Sequence, residues 1–248
     1  NRVSQEVRVR FSLRPPYMIK NILYKVVLLL NIQKYKFKNL IKPLEINKNL
    51  KFIKKYFEKK ELGFYIDVGC FHPIRFSNTL FLYKKGWSGL NLDISKKTID
   101  LFNISRPRDL NLNYGIGDTN CEMEFYYNKD VFQSNTLNNQ FKDYFLKKNT
   151  LKKKKIEVKT LAYLLEKYFP EKKIDLLDID AEGFDYEVLK GIDFNKNIIN
   201  LIMIEVHHFS KETIDKSIKI RNLLEQKGFT LVCGDYPGNC VFENKDLV

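Results

Sequence analysis

The chain has little cysteine, and what it has forms no pattern. Cys70, Cys121, Cys233 and Cys240 are scattered through 248 residues without a C-x-x-C pair. Metal-finger spacing is therefore absent, a disulfide framework is not expected at this length, and a reducing cytoplasm is the expected setting. No secretory signal with a cleavage site is visible. The most apolar N-terminal run, Ile22–Ile32, is about half the ~20 residues that a spanning helix needs, and it contains Lys25. It is too short to span. Glycine never assembles into G-x-G-x-x-G, so the phosphate cradle of a dinucleotide site is missing. Histidine is scarce as well, at three residues, which leaves few imidazoles for any proton transfer.

What the chain has in quantity is charge and apolar mass. Hydrophobic residues make up 44% and aromatics 14%, enough for a sizeable core and inconsistent with a disordered chain. Lys+Arg 43 against Asp+Glu 30 gives +13, which favours anionic partners, although much of it is diffuse lysine. Residues 1–17 lack periodicity and read as leader or added sequence. Residues 18–60 are basic and helical in pattern, with Ile22, Val26, Leu29 and Leu30 at helical spacing between lysines. Such a stretch could rest on a membrane or a partner. The commoner outcome is a helix packed on its own domain, and that is the expectation here.

Residues 61–248 form the expected catalytic domain. Strand and helix patterns alternate from Phe64 onward, which argues for βαβ units and a parallel sheet with helices on both faces. Strands are expected at Phe64–Val68, Ser88–Leu92, Asp109–Tyr114, Ile174–Ile179 and Ile198–Ile204, with a short extra strand at Glu122–Tyr127. Helices are expected at Asn78–Lys85, Lys97–Ser105, Thr160–Phe169, Tyr186–Lys190 and Lys211–Lys227. Residues 128–150 read as a long loop over the site, and Lys152–Lys155 as the solvated end of a strand at Ile156–Val158. Phe229–Cys233 and Cys240–Glu243 form a C-terminal antiparallel hairpin.

Acidic residues recur where those strands end. Asp67, Asp93, Asp118, Asp180 and Glu205 all fall at or just after a strand's carboxyl end, the edge where open α/β sheets bind ligands. Asp67-Val68-Gly69 pairs a carboxylate with a glycine that admits close backbone approach. Asp93, followed by Ile94, has the position of an acid that holds a ribose 2′-hydroxyl. A dinucleotide fits poorly, because Asp67 would repel its pyrophosphate. A nucleoside sulfonium carries no phosphate and suits carboxylates, so S-adenosylmethionine is the expected cofactor.

The motifs YIDVGCFHPIRFSNTLFLYKKGW, GLNLDIS, RPRDLNLNYGIGD, VKTLAYLL and IDLLDIDAEGFDYEVLKGIDF carry a family resemblance. From about Phe64 to Val206 the chain resembles the FkbM family of S-adenosylmethionine-dependent methyltransferases, a class I, Rossmann-like group acting mostly as O-methyltransferases. Its pattern I-D-x-E-G-x-D/E-x-x-V-L-x-G is met from Ile179 to Gly191. Cys70-Phe71 replaces the Ala-Asn often found after the first glycine, and Asp178 replaces a frequent Lys. By fold analogy, Asp67, Val68 and Gly69 would bind the methionine end, Asp93 and Ile94 the ribose, and Gly117 and Asp118 the adenine amino group. The resemblance also implies a sugar acceptor on a surface polysaccharide, lipopolysaccharide or nucleotide-linked precursor.

Methyl transfer to a hydroxyl needs in-line positioning and a base for the proton. His72 follows strand one, while His207 and His208 follow strand five. His207 is favoured over His72 as base, with Asp180 and Glu205 as alternative bases or substrate acceptors. Asp180, Glu205 and His207 could also ligate a divalent metal, as fold relatives do at this edge, but no metal site is assigned. Arg75, Arg106 and Arg108 could meet an anionic substrate. A nucleic-acid methyltransferase is disfavoured: Asp180-Ala181-Glu182-Gly183 stands where base-methylating enzymes carry Asn/Asp-Pro-Pro-Tyr/Phe, and no Pro-Cys nucleophile exists. No nucleic-acid partner is therefore expected. A non-catalytic module that docks through 18–60 at the inner face of a membrane, in a glycan-assembly complex, is the other alternative.

Overall fold

A computed structural model describes residues 16–41, 47–127, 135–138, 152–234 and 237–247. Most of the segments 1–17 and 128–150 thus lies outside the described residues. Ten strands and seven α-helices are assigned among those described. They are α1 (Pro16–Ile41), α2 (Lys48–Tyr56), β1 (Phe64–Val68), α3 (Leu80–Lys84), β2 (Ser88–Leu92), α4 (Lys96–Ser105) and β3 (Leu110–Leu112). There follow β4 (Gly115–Ile116), β5 (Cys121–Tyr127), β6 (Lys152–Lys159), α5 (Leu161–Tyr168), β7 (Ile174–Ile179), α6 (Asp185–Lys190) and β8 (Ile199–Val206). The chain closes with α7 (Lys211–Gln226), β9 (Phe229–Gly234) and β10 (Gly238–Asn244).

Seven strands form one sheet in the order β3-β2-β1-β7-β8-β10-β9. β1, β2, β3, β7 and β8 run parallel, and β10 is antiparallel to both β8 and β9. Side chains alternate across a strand, so β1 feeds two cores. Phe64, Ile66 and Val68 join a cluster that contains Leu161 and Leu165 of α5, Val188 of α6 and Leu224 of α7. Tyr65, on the opposite face, joins Ile53 of α2, Leu82 of α3 and Trp87. Strand order reverses between β1 and β7, and a ligand crevice belongs at that edge.

Two expectations need correction. The strand expected over Asp109–Tyr114 shrinks to β3, because Gly115–Ile116 turns away to pair with Val158–Lys159 in a second sheet ordered β4-β6-β5. Asp118 therefore does not end a strand of the main sheet. Lys152–Lys155 is, as expected, the exposed end of a strand, β6, and it is paired with β5, where Glu124 and Glu122 answer Lys153 and Lys155. The helix α1 does rest on the domain, through Leu28 and Ile32 against Ile74 and Leu101. The expected contact stripe, Ile22, Val26, Leu29 and Leu30, is instead exposed.

Candidate active site

The site is built on the first βα turn. Gly69 N–H donates to Leu92 O at 2.9 Å, and Asp180 N–H donates to Val68 O at 3.0 Å, so β2 and β7 converge on the end of β1. Gly69 adopts φ +78, and a Cβ there would lie 1.8 Å from the Asp180 carbonyl oxygen. The glycine is thus required by the close approach of β7's end as well as by its place in the cavity wall. That cavity holds about 490 Å³ of space, partly open to solvent. Val68, Gly69, Asp93, Ile94, Leu137 and Phe184 are among the residues that line it, and Ala181 borders it.

Asp93 supplies its polar anchor. Its carboxylate accepts N–H groups from Phe71 at 3.0 Å and Ser95 at 2.7 Å, which fix its orientation. Burial pushes its pKa up to about 7, against the lowering effect of those two hydrogen bonds. A ribose hydroxyl donating to the remaining lone pairs fits this arrangement, and the apolar walls Ile94, Ile116, Leu137 and Phe184 fit a purine ring. The residues present therefore suit S-adenosylmethionine, with Asp93 and Ile94 at the nucleoside.

Asp67 sits elsewhere. It shares a strand face with Tyr65, opposite the cavity-lining Val68, and is only 4% exposed. Thr79 Oγ1 donates to it, and Arg106 Nη1 donates to Thr79 Oγ1 at 2.7 Å. Arg106 is wholly buried and also donates to Pro73 O at 2.9 Å and Ser77 Oγ at 2.6 Å. Burial raises the Asp67 pKa despite that guanidinium. Asp67 is thus tied into the fold and is not among the residues lining the cavity, and Arg106 is a buried clamp. Asp118 pairs with Lys190, and Gly117 packs on Phe184. Neither is among the residues lining the cavity, although Ile116 of β4, just before them, is.

His72 is corrected as well. It is 1% exposed, and its Nδ1 accepts N–H groups from Ile74 and Arg75 at 3.1 and 3.0 Å. Nε2 lies 2.9 Å from Asn31 Oδ1 of α1, so it carries the proton and donates. Burial and the nearby Arg75 and Arg106 lower its pKa to about 4. With both nitrogens committed, His72 shapes the loop and is no base.

The remaining predicted residues do converge. Asp180, at the end of β7, hydrogen-bonds Glu205 on β8, and Glu205 Oε2 lies 3.1 Å from His207 Nε2. Glu182 completes the group, and Glu182, Glu205 and His207 each offer a ligand atom within 4.8 Å of the others. Burial drives the Asp180 and Glu182 carboxyls well above their ordinary range, and the Glu205 charge adds to it. Burial opposes the Glu205 carboxylate too, but the adjacent His207 and Asp180 outweigh it and hold Glu205 low. For His207, burial disfavours the imidazolium, yet the Glu205 carboxylate prevails and raises its pKa above the usual value. The environment thus favours the charged form of Glu205 and the neutral forms of Asp180 and Glu182, with His207 facing Glu205.

A backbone arch supports this cluster. Asp185, in the first turn of α6, accepts N–H groups from Ala181 at 2.7 Å and Gly183 at 3.0 Å. Glu182 and Gly183 adopt φ +49 and +87. Thr136 Oγ1 donates to Glu182 O and Asn138 Nδ2 to Gly183 O, so residues 135–138 close over the turn. The sequence analysis placed Glu182 in the family motif and assigned it no role in the site. The E-G-x-D spacing was the signal for it, whereas Leu137 and Phe184 carried no chemical signature at all.

The strand order, the antiparallel β10 and the cavity beyond β1 and β2 define the class I methyltransferase fold. The chain belongs to the FkbM methyltransferase family: the family model described as Methyltransferase FkbM domain matches residues 67–231. A methyltransferase of Sordaria araneosa, sdnD, is 34% identical over 84 residues, 31% of this chain and 31% of that protein. The alignment thus spans about a third of that relative's length. Among solved structures, an FkbM methyltransferase from Methylobacillus flagellatus has a TM-score of 0.45 at 12% identity, covering 74% of this chain and 44% of its own. A TehB-like SAM-dependent methyltransferase from Corynebacterium glutamicum has a TM-score of 0.44 at 13% identity, covering 89% and 100%.

Proposed function

We propose that the protein is an S-adenosylmethionine-dependent O-methyltransferase acting on a sugar hydroxyl. The observation that carries this reading is the junction of two sites at one sheet edge. The Asp93 cavity, suited to a nucleoside, and the Asp180–Glu182–Glu205–His207 cluster lie at the same strand-end edge, and Ala181, between Asp180 and Glu182, lines the cavity. The cofactor, when bound, supplies an electrophilic methyl group on a positive sulfur. The chain's own residues position the acceptor and manage its proton. Asp180, Glu182 and Glu205 offer oxygen acceptors to the several hydroxyls of a sugar ring. The attacking hydroxyl loses its proton to His207, whose positive charge Glu205 stabilises. Such a base contributes about 10²–10⁴-fold.

A cation reading rests on the same trio. Glu182, Glu205 and His207 would hold a divalent ion, which would acidify a bound hydroxyl. Under it, EDTA abolishes turnover and leaves cofactor binding intact. Without a metal requirement, turnover survives EDTA.

The test begins with calorimetric titration of S-adenosylmethionine into the wild-type protein and Asp93→Ala. Binding that is lost in the variant supports the cofactor site. The protein is then incubated with cofactor carrying an isotope-labelled methyl group and a panel of nucleotide sugars and polysaccharide fragments. An O-methyl signal on a sugar carbon supports the reading. Label on nitrogen, or no cofactor binding by either protein, overturns it.

A further inference from the structure

Helix α1 contacts the domain along one narrow line: Leu28, Asn31, Ile32 and Tyr35 face Ile74, His72 and Leu101. At 100° per residue, the opposite side of the helix carries Leu23, Val26, Leu29, Leu30, Phe37 and Leu40, with Gln33 the polar residue among them. They are large apolar side chains left in water, with Leu30, Phe37 and Leu40 exposed by 63%, 64% and 80%. Exposed apolar residues scattered singly need no explanation, but a contiguous stripe of them does. Its borders are equally ordered. Lys25 and Lys36 lie along one edge, while Lys20, Lys34 and Lys38 lie along the other, all exposed, and α1 contains no acidic residue.

We infer that this outward face of α1 docks on an anionic lipid surface, with the helix lying in the plane of the interface. An apolar strip edged on both sides by lysine matches such a surface in both respects. The strip enters the acyl boundary, while long lysine stems carry their charges up to the head groups. No helix among the described residues is long and apolar enough to cross a membrane, in keeping with a helix that lies flat. A second copy fits less well, because pairing the face with itself sets lysine edge against lysine edge with no carboxylate on α1 to answer them. The inference stands on surface geometry and is independent of the reaction assigned to the site. Its consequence is positional: α1 is tied to the first βα turn through Asn31 and His72 and to α4 through Tyr24 and Asp100, at 2.8 Å. Docking would therefore hold the cofactor edge of the sheet near the lipid.

The test is co-sedimentation of the full chain with vesicles of phosphatidylcholine alone and vesicles in which part of it is replaced by phosphatidylglycerol. The wild-type protein is expected in the pellet only with phosphatidylglycerol, and less so as salt is added. The double variant L30S/F37S keeps every charge and should lose on the order of a hundredfold in partitioning, with its melting temperature unchanged. Each Lys→Glu change at Lys34 or Lys38 should weaken partitioning by about fivefold or more. Wild-type protein that stays in the supernatant with both vesicles overturns the inference. So does L30S/F37S pelleting as well as wild type, which would assign binding to diffuse charge. A concentration-dependent mass in light scattering that L30S/F37S abolishes, without vesicle binding, would assign the face to a second copy.

Discussion

Asp93 illustrates how a strand-end acid comes to line a cavity. Two backbone N–H groups fix its carboxylate, and burial holds its pKa near 7. Below that value the group gains a proton, losing both an acceptor and its attraction for a sulfonium. Affinity for S-adenosylmethionine should therefore fall as pH drops from about 8 to about 6, a trend calorimetry can follow. Asp93→Asn should weaken binding by about 1.5–3 kcal/mol, the range of a hydrogen bond to a charged group. For His207 the sign is opposite in origin. A base must be neutral, so turnover should rise with pH through a value above the ordinary ~6.5 of histidine, because Glu205 stabilises the imidazolium. Glu205→Gln should move that limb to lower pH. His207→Gln should reduce kcat by about 10²–10⁴-fold while leaving cofactor affinity unchanged. A pH profile unmoved by Glu205→Gln would remove the pair from the mechanism.

At the scale of elements, the crevice depends on how tightly β1, β7 and the first βα turn are drawn together. Arg106, at the carboxyl end of α4, ties that turn to β1 through Pro73, Ser77 and the Thr79–Asp67 pair. Removing one partner of a buried charge network leaves the others uncompensated. Arg106→Met should therefore cost about 3–5 kcal/mol, read as a lowered urea midpoint. Gly69→Ala should also destabilise by more than about 2 kcal/mol, since both its positive φ and the Asp180 carbonyl exclude a Cβ. A midpoint within error of wild type for Arg106→Met would show that the clamp is dispensable.

At the scale of the whole molecule, the site is a concentration of buried acid in a chain of net charge +13. Burial raises the pKa of Asp67, Asp93, Asp178, Asp180, Glu182 and Asp185, to about 7 for Asp93 and about 6 for Asp185. The folded state thus keeps protons that the unfolded chain releases near pH 4, and their contribution to stability is lost as pH rises through the folded values. His207, also raised, acts in the same direction. His72, lowered to about 4, acts oppositely, but only below about pH 6.5 where the unfolded histidine gains its proton. The ligand-free protein should consequently show a lower urea midpoint at about pH 8 than at about pH 6.5. A midpoint that rises over that interval would mean that the acids are not buried as described.

The sequence by itself determined the alternating strands and helices from Phe64 onward, the methyltransferase family, and the acids at strand ends. Each depends on local periodicity or on short motifs, and both survive in a linear string. Tertiary structure decided which of those acids share a cavity. Val68 lines the cavity while Asp67 is linked to Arg106 through Thr79, because neighbours on a strand point to opposite sides. Asp118 pairs with Lys190, 72 residues on, and β4 pairs with β6, long-range choices that no local pattern records. The imidazoles divided in the same way: identical in sequence, His72 is committed at both nitrogens, and His207 faces Glu205. The orientation of α1 likewise followed from Ile74 and Leu101, which capture Leu28 and Ile32 and leave the more apolar stripe facing outward. Periodicity reveals that a helix has an apolar face, but packing partners distant in sequence decide whether that face is the one buried.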